Sequence, residues 1–127
     1  MIPQIKKILY ATDLSKNSSY AFLYAIDMAK KHDARIVILH AIEPIPAYAE
    51  VYTAMMTDEF KKKQHEEIIE SMKKHLQGFC KKAEAQIGPP CVELVSKILV
   101  PVGHAPEEIL NDADKEACDV IVLGTHG

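Results

Sequence analysis

Apolar positions follow two alternating rhythms along this chain. Ile8-Leu9-Tyr10-Ala11 is a short unbroken run, closed by Thr12-Asp13 and followed by Ser15, Asn17, Ser18 and Ser19. It predicts a buried strand leading into a loop rich in helix N-cap residues. From Ser19 to Lys31, Phe22, Ile26 and Ala29 with Ala21, Ala25 and Met28 recur at spacings of three and four, the stripe of a helix with one buried face. His32-Asp33 breaks the stripe, and Arg35 to Ile42 is again continuous and β-branched. Runs without polar alternation fit a parallel sheet covered on both faces.

Glu43 to Met56, with Pro44 and Pro46, reads as a linker. Its Tyr48, Tyr52, Met55 and Met56 suit an interaction patch or a lid over the sheet edge equally well. A long helix is predicted from about Asp58 to Gln86, with an apolar stripe of Phe60, Ile68, Ile69, Met72, Leu76, Phe79, Cys80, Ala83 and Ile87. Gly88-Pro89-Pro90 stops it. Val92 to Val102 is the third strand region, and Pro101 near its end argues for a sheet edge. Gly103-His104-Ala105-Pro106-Glu107-Glu108 opens another helix, with Pro106 in the first turn and two acids at the positive end of the dipole. Ile109, Leu110, Ala113 and Ala117 form its expected buried face. Asp119 to Leu123 is the fourth strand, ending in Gly124-Thr125-His126-Gly127.

The order β-α-β-α-β-α-β predicts an α/β fold, an open parallel sheet with helices on both faces. Ligands of such sheets lie beyond the carboxyl ends of the strands, where the strand order reverses. That rule singles out Ala11-Thr12-Asp13, Ala41-Ile42, Gly103-His104 and Gly124 to Gly127. Gly124 and Gly127 offer positive φ and bare N–H groups to a phosphate. Asp13 is placed for a ribose hydroxyl or a metal, and equally for capping the next turn.

Composition narrows the partners. The 127 residues are 48% hydrophobic and 26% charged, enough for one ordinary globular domain with its own core. The longest apolar run is the seven residues Tyr20 to Ile26, against about 20 for a membrane-spanning helix. A formal charge of -3, with Lys61-Lys62-Lys63 followed at once by Glu66, Glu67 and Glu70, argues against nucleic acid. Cys80, Cys91 and Cys118 are widely spaced and read as buried or incidental thiols of a reducing compartment. Without a signal-peptide layout at Met1-Ile-Pro-Gln-Ile-Lys-Lys, the cytoplasm is the expected location.

The histidines form no ligand spacing. His65-Glu66-Glu67 lacks the second histidine of a zinc-protease helix, His65 and His75 read as solvated, and His40 reads as a core or rim residue. His104 and His126 fall at strand ends. No serine–histidine–acid grouping and no cysteine beside a base suggests nucleophilic catalysis.

Five stretches together resemble the universal stress protein family, from Lys7 to Gly127: K-I-L-Y-A-T-D-L-S, A-I-D-M-A-K-K, I-V-I-L-H-A-I, G-H-A-P-E-E-I-L and D-V-I-V-L-G-T-H-G. The resemblance implies a Rossmann-like parallel sheet in the order 3-2-1-4-5. One branch of the family binds ATP, and its site carries over position by position. Ala11 and Thr12 would line the nucleotide pocket, and Asp13 would bond the ribose or help hold a magnesium or manganese ion. The Ala41 backbone would meet the adenine, Leu123 and Gly124 would flank the ribose-phosphate, and His126 and Gly127 would begin the phosphate loop. Only the first half of the family's G-x-x-G…G-[S/T] motif is present. The expectation is therefore a single domain over 1–127 that lacks the last strand and helix, and with them the family's dimerisation strand. Independently of the resemblance, Val120-Ile121-Val122-Leu123 has no polar alternation and is expected to be buried on both faces and to pair on both edges.

The functional expectation is an ATP-binding stress-response switch, a homodimer when the C-terminal strand is present, with slow hydrolysis at most. Residues 1–127 alone are expected to bind ATP weakly or undetectably. The alternative is a member that does not bind nucleotide and serves as a dimerisation or interaction module. An ATP-consuming adenylating or pyrophosphatase relative fits less well, because Thr12-Asp13-Leu14-Ser15-Lys16 stands where a phosphate loop of the S-G-G-x-D-S type would be.

Overall fold

Two apolar strand registers, facing opposite ways, organise the molecule. In the computed structural model, which describes residues 2–13, 15–43, 57–87 and 91–124, β1 (Lys7–Ala11) pairs in parallel with β2 (Arg35–Leu39) on one side and β4 (Val120–Leu123) on the other. β3 (Val95–Leu99) pairs with the far side of β2, giving the order β3-β2-β1-β4. The open parallel sheet expected from the sequence is therefore present, with β3 at an edge.

Alternate side chains of β1 and β2 build two cores. Ile8, Tyr10, Ile36 and Ile38 face α1 (Lys16–His32), which contributes Ala21, Phe22, Ala25, Ile26 and Ala29. The Tyr10 and Phe22 rings meet with centroids 4.9 Å apart. Leu9, Ala11, Val37 and Leu39 face the other way, against Ile109 and Ala113 of α4 (Ala105–Lys115). The 30-residue α2 (Asp58–Ile87) brings Cys80 into the first core, joined by Leu94 of the short α3 (Cys91–Leu94).

Local chemistry sets the helix ends. Ser15 Oγ accepts from Ser18 N to cap α1, and Asp33 closes it in the left-handed region with its N–H on Ala29 O. Thr57 Oγ1 accepts from Phe60 N at the start of α2. Pro106, Glu107 and Glu108 occupy the first turn of α4, as the sequence predicts.

Several expectations need correction. The third strand region begins with the α3 turn, so β3 is only five residues long and takes a register shift between Ile36 and Val37 of its partner. Pro101 lies beyond β3 and faces β2: its carbonyl accepts from Ile42 N, and the missing N–H interrupts the ladder until Ile42 bridges Val102. Phe60 is about half exposed, because it sits about 30 Å of helix axis away from Cys80, where α2 meets the core. Leu110 is 65% exposed, since the buried positions of α4 follow Ile109 and Ala113 at i, i+4. Ile69 is partly buried, while the remaining stripe residues of α2, and Tyr48, Tyr52, Met55 and Met56, lie outside the described side chains.

β4 also differs from expectation. Val122 packs on the α1 core, but Ile121 and Leu123 are 36% and 55% exposed, because α4 covers the face of β1 and β2 and stops short of β4. Asp119 precedes this strand rather than joining it. Its carboxylate accepts from Lys6 N (2.8 Å) and Lys7 N (3.1 Å), while its own N–H donates to Lys7 O. Those two N–H groups hold the Asp119 carboxyl below its ordinary value.

Two stability measurements test these points. Ala117 has φ 54°, a left-handed conformation unfavourable for a residue with a Cβ. Ala117→Gly should raise the unfolding free energy by about 0.5–1 kcal/mol in urea titrations. A depressed carboxyl pKa stabilises the fold above the unfolded value of about 3.9 and loses that contribution as pH falls through the folded value. Asp119→Asn should therefore be less stable than the parent at neutral pH, and the difference should shrink progressively below about pH 4.

Candidate functional site

β1 is the point where the strand order turns back, with β2 on one side and β4 on the other. Beyond the carboxyl ends of these strands lies a cavity of about 410 Å³. Its walls include Ala11, Thr12 and Asp13 after β1, Leu39, His40, Ala41 and Glu43 after β2, and Leu123 and Gly124 after β4. Ser15 and Ser18 of the α1 start, with Ala105 and Ile109 of α4, complete it. A second cavity of about 410 Å³ lies between Lys73, Gln77 and Cys80 of α2 and the edge strand β3, away from the switch point.

Six of the eight residues singled out from sequence, Ala11, Thr12, Asp13, Ala41, Leu123 and Gly124, thus meet around one cavity. His126 and Gly127 lie outside the described residues. Gly103 and His104 are not among the residues lining the cavity; that loop reaches it through Ala105 instead.

A buried hydroxyl relay holds the β1 side rigid. Tyr10 OH donates to Ser18 O and lies 2.9 Å from Ser18 Oγ, which donates to Thr12 Oγ1 at 2.6 Å. Burial pushes the Tyr10 phenol above its ordinary pKa, so it remains a donor across the physiological range. Asp13 is exposed, and one of its carboxylate oxygens accepts from Ser15 N at 2.8 Å. The capping role read from sequence is therefore present, in a residue that also lines the cavity.

The β2 side supplies main-chain groups. His40 N donates to Leu99 O, Ile42 N donates to Pro101 O, and Ile42 O accepts from Gly103 N. Residues 40 and 42 therefore turn their backbone toward β3, and parallel-strand alternation turns the Ala41 N–H and C=O toward the β1 side. Among the described residues no group pairs with either. Glu43 closes the mouth on this side, where one carboxylate oxygen accepts from Ala105 N (3.2 Å) and the other lies 3.6 Å from His104 Nδ1.

Sequence reasoning passed over Ser18, His40, Glu43 and Ile109. The strand-tip rule that selected Ala41 applies equally to His40, whose place at the end of an apolar run drew attention to its burial instead. Ile109 carried a signal only for the core. Among the described residues no group of three His, Cys, Asp or Glu side chains is gathered as a metal site. Cys80 is buried, and burial pushes the half-buried Cys118 thiol upward in pKa.

Comparison with known proteins fits this geometry. Residues 4–127 match the universal stress protein family. Universal stress protein MJ0577 of Methanocaldococcus jannaschii is 24% identical over 131 residues, spanning 96% of this chain and 77% of its own length. A universal stress protein from the QAH/OAS sulfhydrylase 3′ region of Thermus aquaticus is 31% identical over 122 residues, spanning 96% of this chain and 78% of its own. The solved structure of MJ0577 superposes with a TM-score of 0.70 at 28% identity, over 98% of this chain and 78% of that one. A universal stress protein solved in complex with cAMP shares the fold, with a TM-score of 0.59 at 18% identity over 94% of this chain and 71% of its own. The open parallel α/β sheet is thus the architecture of a known class. The chain belongs to the universal stress protein family.

The relay gives a direct test of how the β1 tip is held. Ser18→Ala removes the donor to Thr12 Oγ1 and one partner of the Tyr10 phenol. It should lower the unfolding free energy by about 1–3 kcal/mol, read from chemical denaturation.

Proposed function

We propose that the switch-point cavity binds an adenine nucleotide, with ATP as the ligand, and that the protein acts as a nucleotide-dependent stress-response switch. The observation that carries this reading is the open Ala41 main-chain pair beside apolar walls. Adenine presents an acceptor, N1, next to a donor, the 6-amino group, and an adjacent N–H and C=O match that pair. Ala11, Leu39, Ile109 and Leu123 supply apolar surface suited to a flat ring. The family membership and the cAMP-bound relative of the same fold point the same way.

In this reading Thr12 lines the sugar side, and the Asp13 carboxylate accepts from a ribose hydroxyl or helps hold a metal. Gly124 leaves room for the ribose-phosphate beside Leu123, and His126 with Gly127 begins the phosphate loop. The described lining residues include no lysine or arginine but do include Asp13 and Glu43. Magnesium or manganese would therefore supply countercharge to the phosphates. In this reading the protein is a switch that hydrolyses ATP slowly at most. Cytoplasmic location and a homodimer complete the proposal.

Calorimetric titration tests it. ATP should bind with a Kd of about 1 mM or tighter, and Gly124→Val and Asp13→Ala should each weaken binding about tenfold, or ~1.4 kcal/mol. In a protein that carries both halves of the phosphate-loop motif, absence of heat with both ATP and ADP at millimolar concentration would overturn the reading. One observation favours a second reading, an association module: Ile121 and Leu123 stand exposed along β4. That reading requires self-association in sedimentation that is indifferent to ATP and lost in Leu123→Lys.

A further inference from the structure

We infer that His40 is the positioning residue that keeps the Ala41 backbone open, by standing in for the next rung of the β1–β2 ladder. This deepens the nucleotide reading, since Ala41 is where that reading places the base.

The ladder shows where the rung belongs. Ala11 is in register with Leu39, and Thr12 N donates to Leu39 O at 2.9 Å. In a continuing parallel pair, the next bond of the series runs from Ala41 N–H to Thr12 O. That bond is replaced. The Thr12 carbonyl is met instead by His40 Nδ1 at 2.8 Å. A carbonyl only accepts, so Nδ1 carries the hydrogen. A side chain from the neighbouring residue thus takes the acceptor that the main chain of Ala41 would otherwise use. The strand pairing ends one step early on the cavity side, while the Ile42–Val102 bridge continues it on the β3 side.

The result is a main-chain donor and acceptor presented together at a strand tip, next to a carbonyl already satisfied. Thr12 itself stays fixed, because the ring bond, the Leu39 bond and the Ser18 hydroxyl hold it from three directions. A histidine is suited to this place: its ring is rigid, and Nδ1 lies close enough to its own backbone to replace a neighbouring amide. Asparagine carries an N–H at nearly the same distance from the backbone. Leucine carries none, and glutamine places its N–H one atom further out, in the manner of Nε2.

Amide hydrogen exchange at Ala41, followed by NMR on the ligand-free protein, separates these variants. The parent and His40→Asn should show a fast-exchanging Ala41 amide, unprotected by any bond. In His40→Leu the freed Thr12 carbonyl should recapture that amide and slow its exchange by about tenfold or more. Should His40→Leu lose its circular dichroism signature, His40→Gln makes the same comparison with a polar side chain. In parallel, ATP and adenosine should bind to the parent and to His40→Asn, and about tenfold or more weakly to His40→Leu or His40→Gln. An Ala41 amide protected in the parent, or exchanging equally in all variants, would overturn the inference. If no variant binds ATP or adenosine, the nucleotide reading fails while the exchange pattern still decides the role of His40.

Discussion

Everything in this molecule depends on β1 being paired on both sides. Lys7 to Ala11 bonds to β2 along one edge and to β4 along the other, and its side chains alternate between two helix-covered faces. A strand in that position has no freedom of register. A one-residue slip would carry Ile8 and Tyr10 out of the α1 core and turn Leu9 and Ala11 into it. Because the register is fixed, so is the place where the strand stops, and Thr12 and Asp13 emerge at the mouth of a cavity that β2 and β4 complete.

Rigidity at that tip comes from polar groups buried without a loose end. Tyr10, Ser18 and Thr12 share hydroxyl contacts beneath the cavity floor. Among the described residues no buried side-chain nitrogen or oxygen lacks a partner. A satisfied polar cluster of this kind resists rearrangement, since moving one member strands another in a low-dielectric setting. The open polar groups at Ala41 stand out against that background. They lie at the cavity wall, where water or a ligand can reach them.

Much of this was legible in the sequence because apolar runs report burial directly. The unbroken Ile8–Ala11 and Ile36–Leu39 runs mark strands covered on both faces, and the spacing of Phe22, Ile26 and Ala29 marks the helix that covers one of them. The strand-tip rule then gathers Ala11, Thr12, Asp13, Ala41 and Gly124 before any coordinates. What stayed illegible depends on how far covering elements extend. Val120 to Leu123 looks like an interior strand, yet nothing in its own residues tells that α4 stops short of Ile121 and Leu123. Leu110 and Phe60 misled in the same way, as apolar residues on helix positions that no neighbour covers. Pro101 pointed to an edge strand correctly, but the proline faces β2, so its effect is to thin the ladder from within. The parts played by His40 and Asp119 were invisible for another reason. Each acts through a side-chain bond to a distant main chain, and no local periodicity records such a bond.

The Asp119 contacts carry a kinetic consequence. They tie the first strand to the last across 112 and 113 positions of sequence, and β4 completes its pairing with β1 at the same separation. Closing so wide a loop is entropically late and raises contact order, which slows folding. α1, β2 and β1 can assemble from neighbouring sequence, whereas the cavity acquires its β4 wall only when Val120 to Leu123 arrive. During synthesis the pocket therefore stays incomplete until residues 120–123 have emerged. Any ligand that needs both walls cannot assist the early stages of folding; it can only stabilise a chain that has already come full circle.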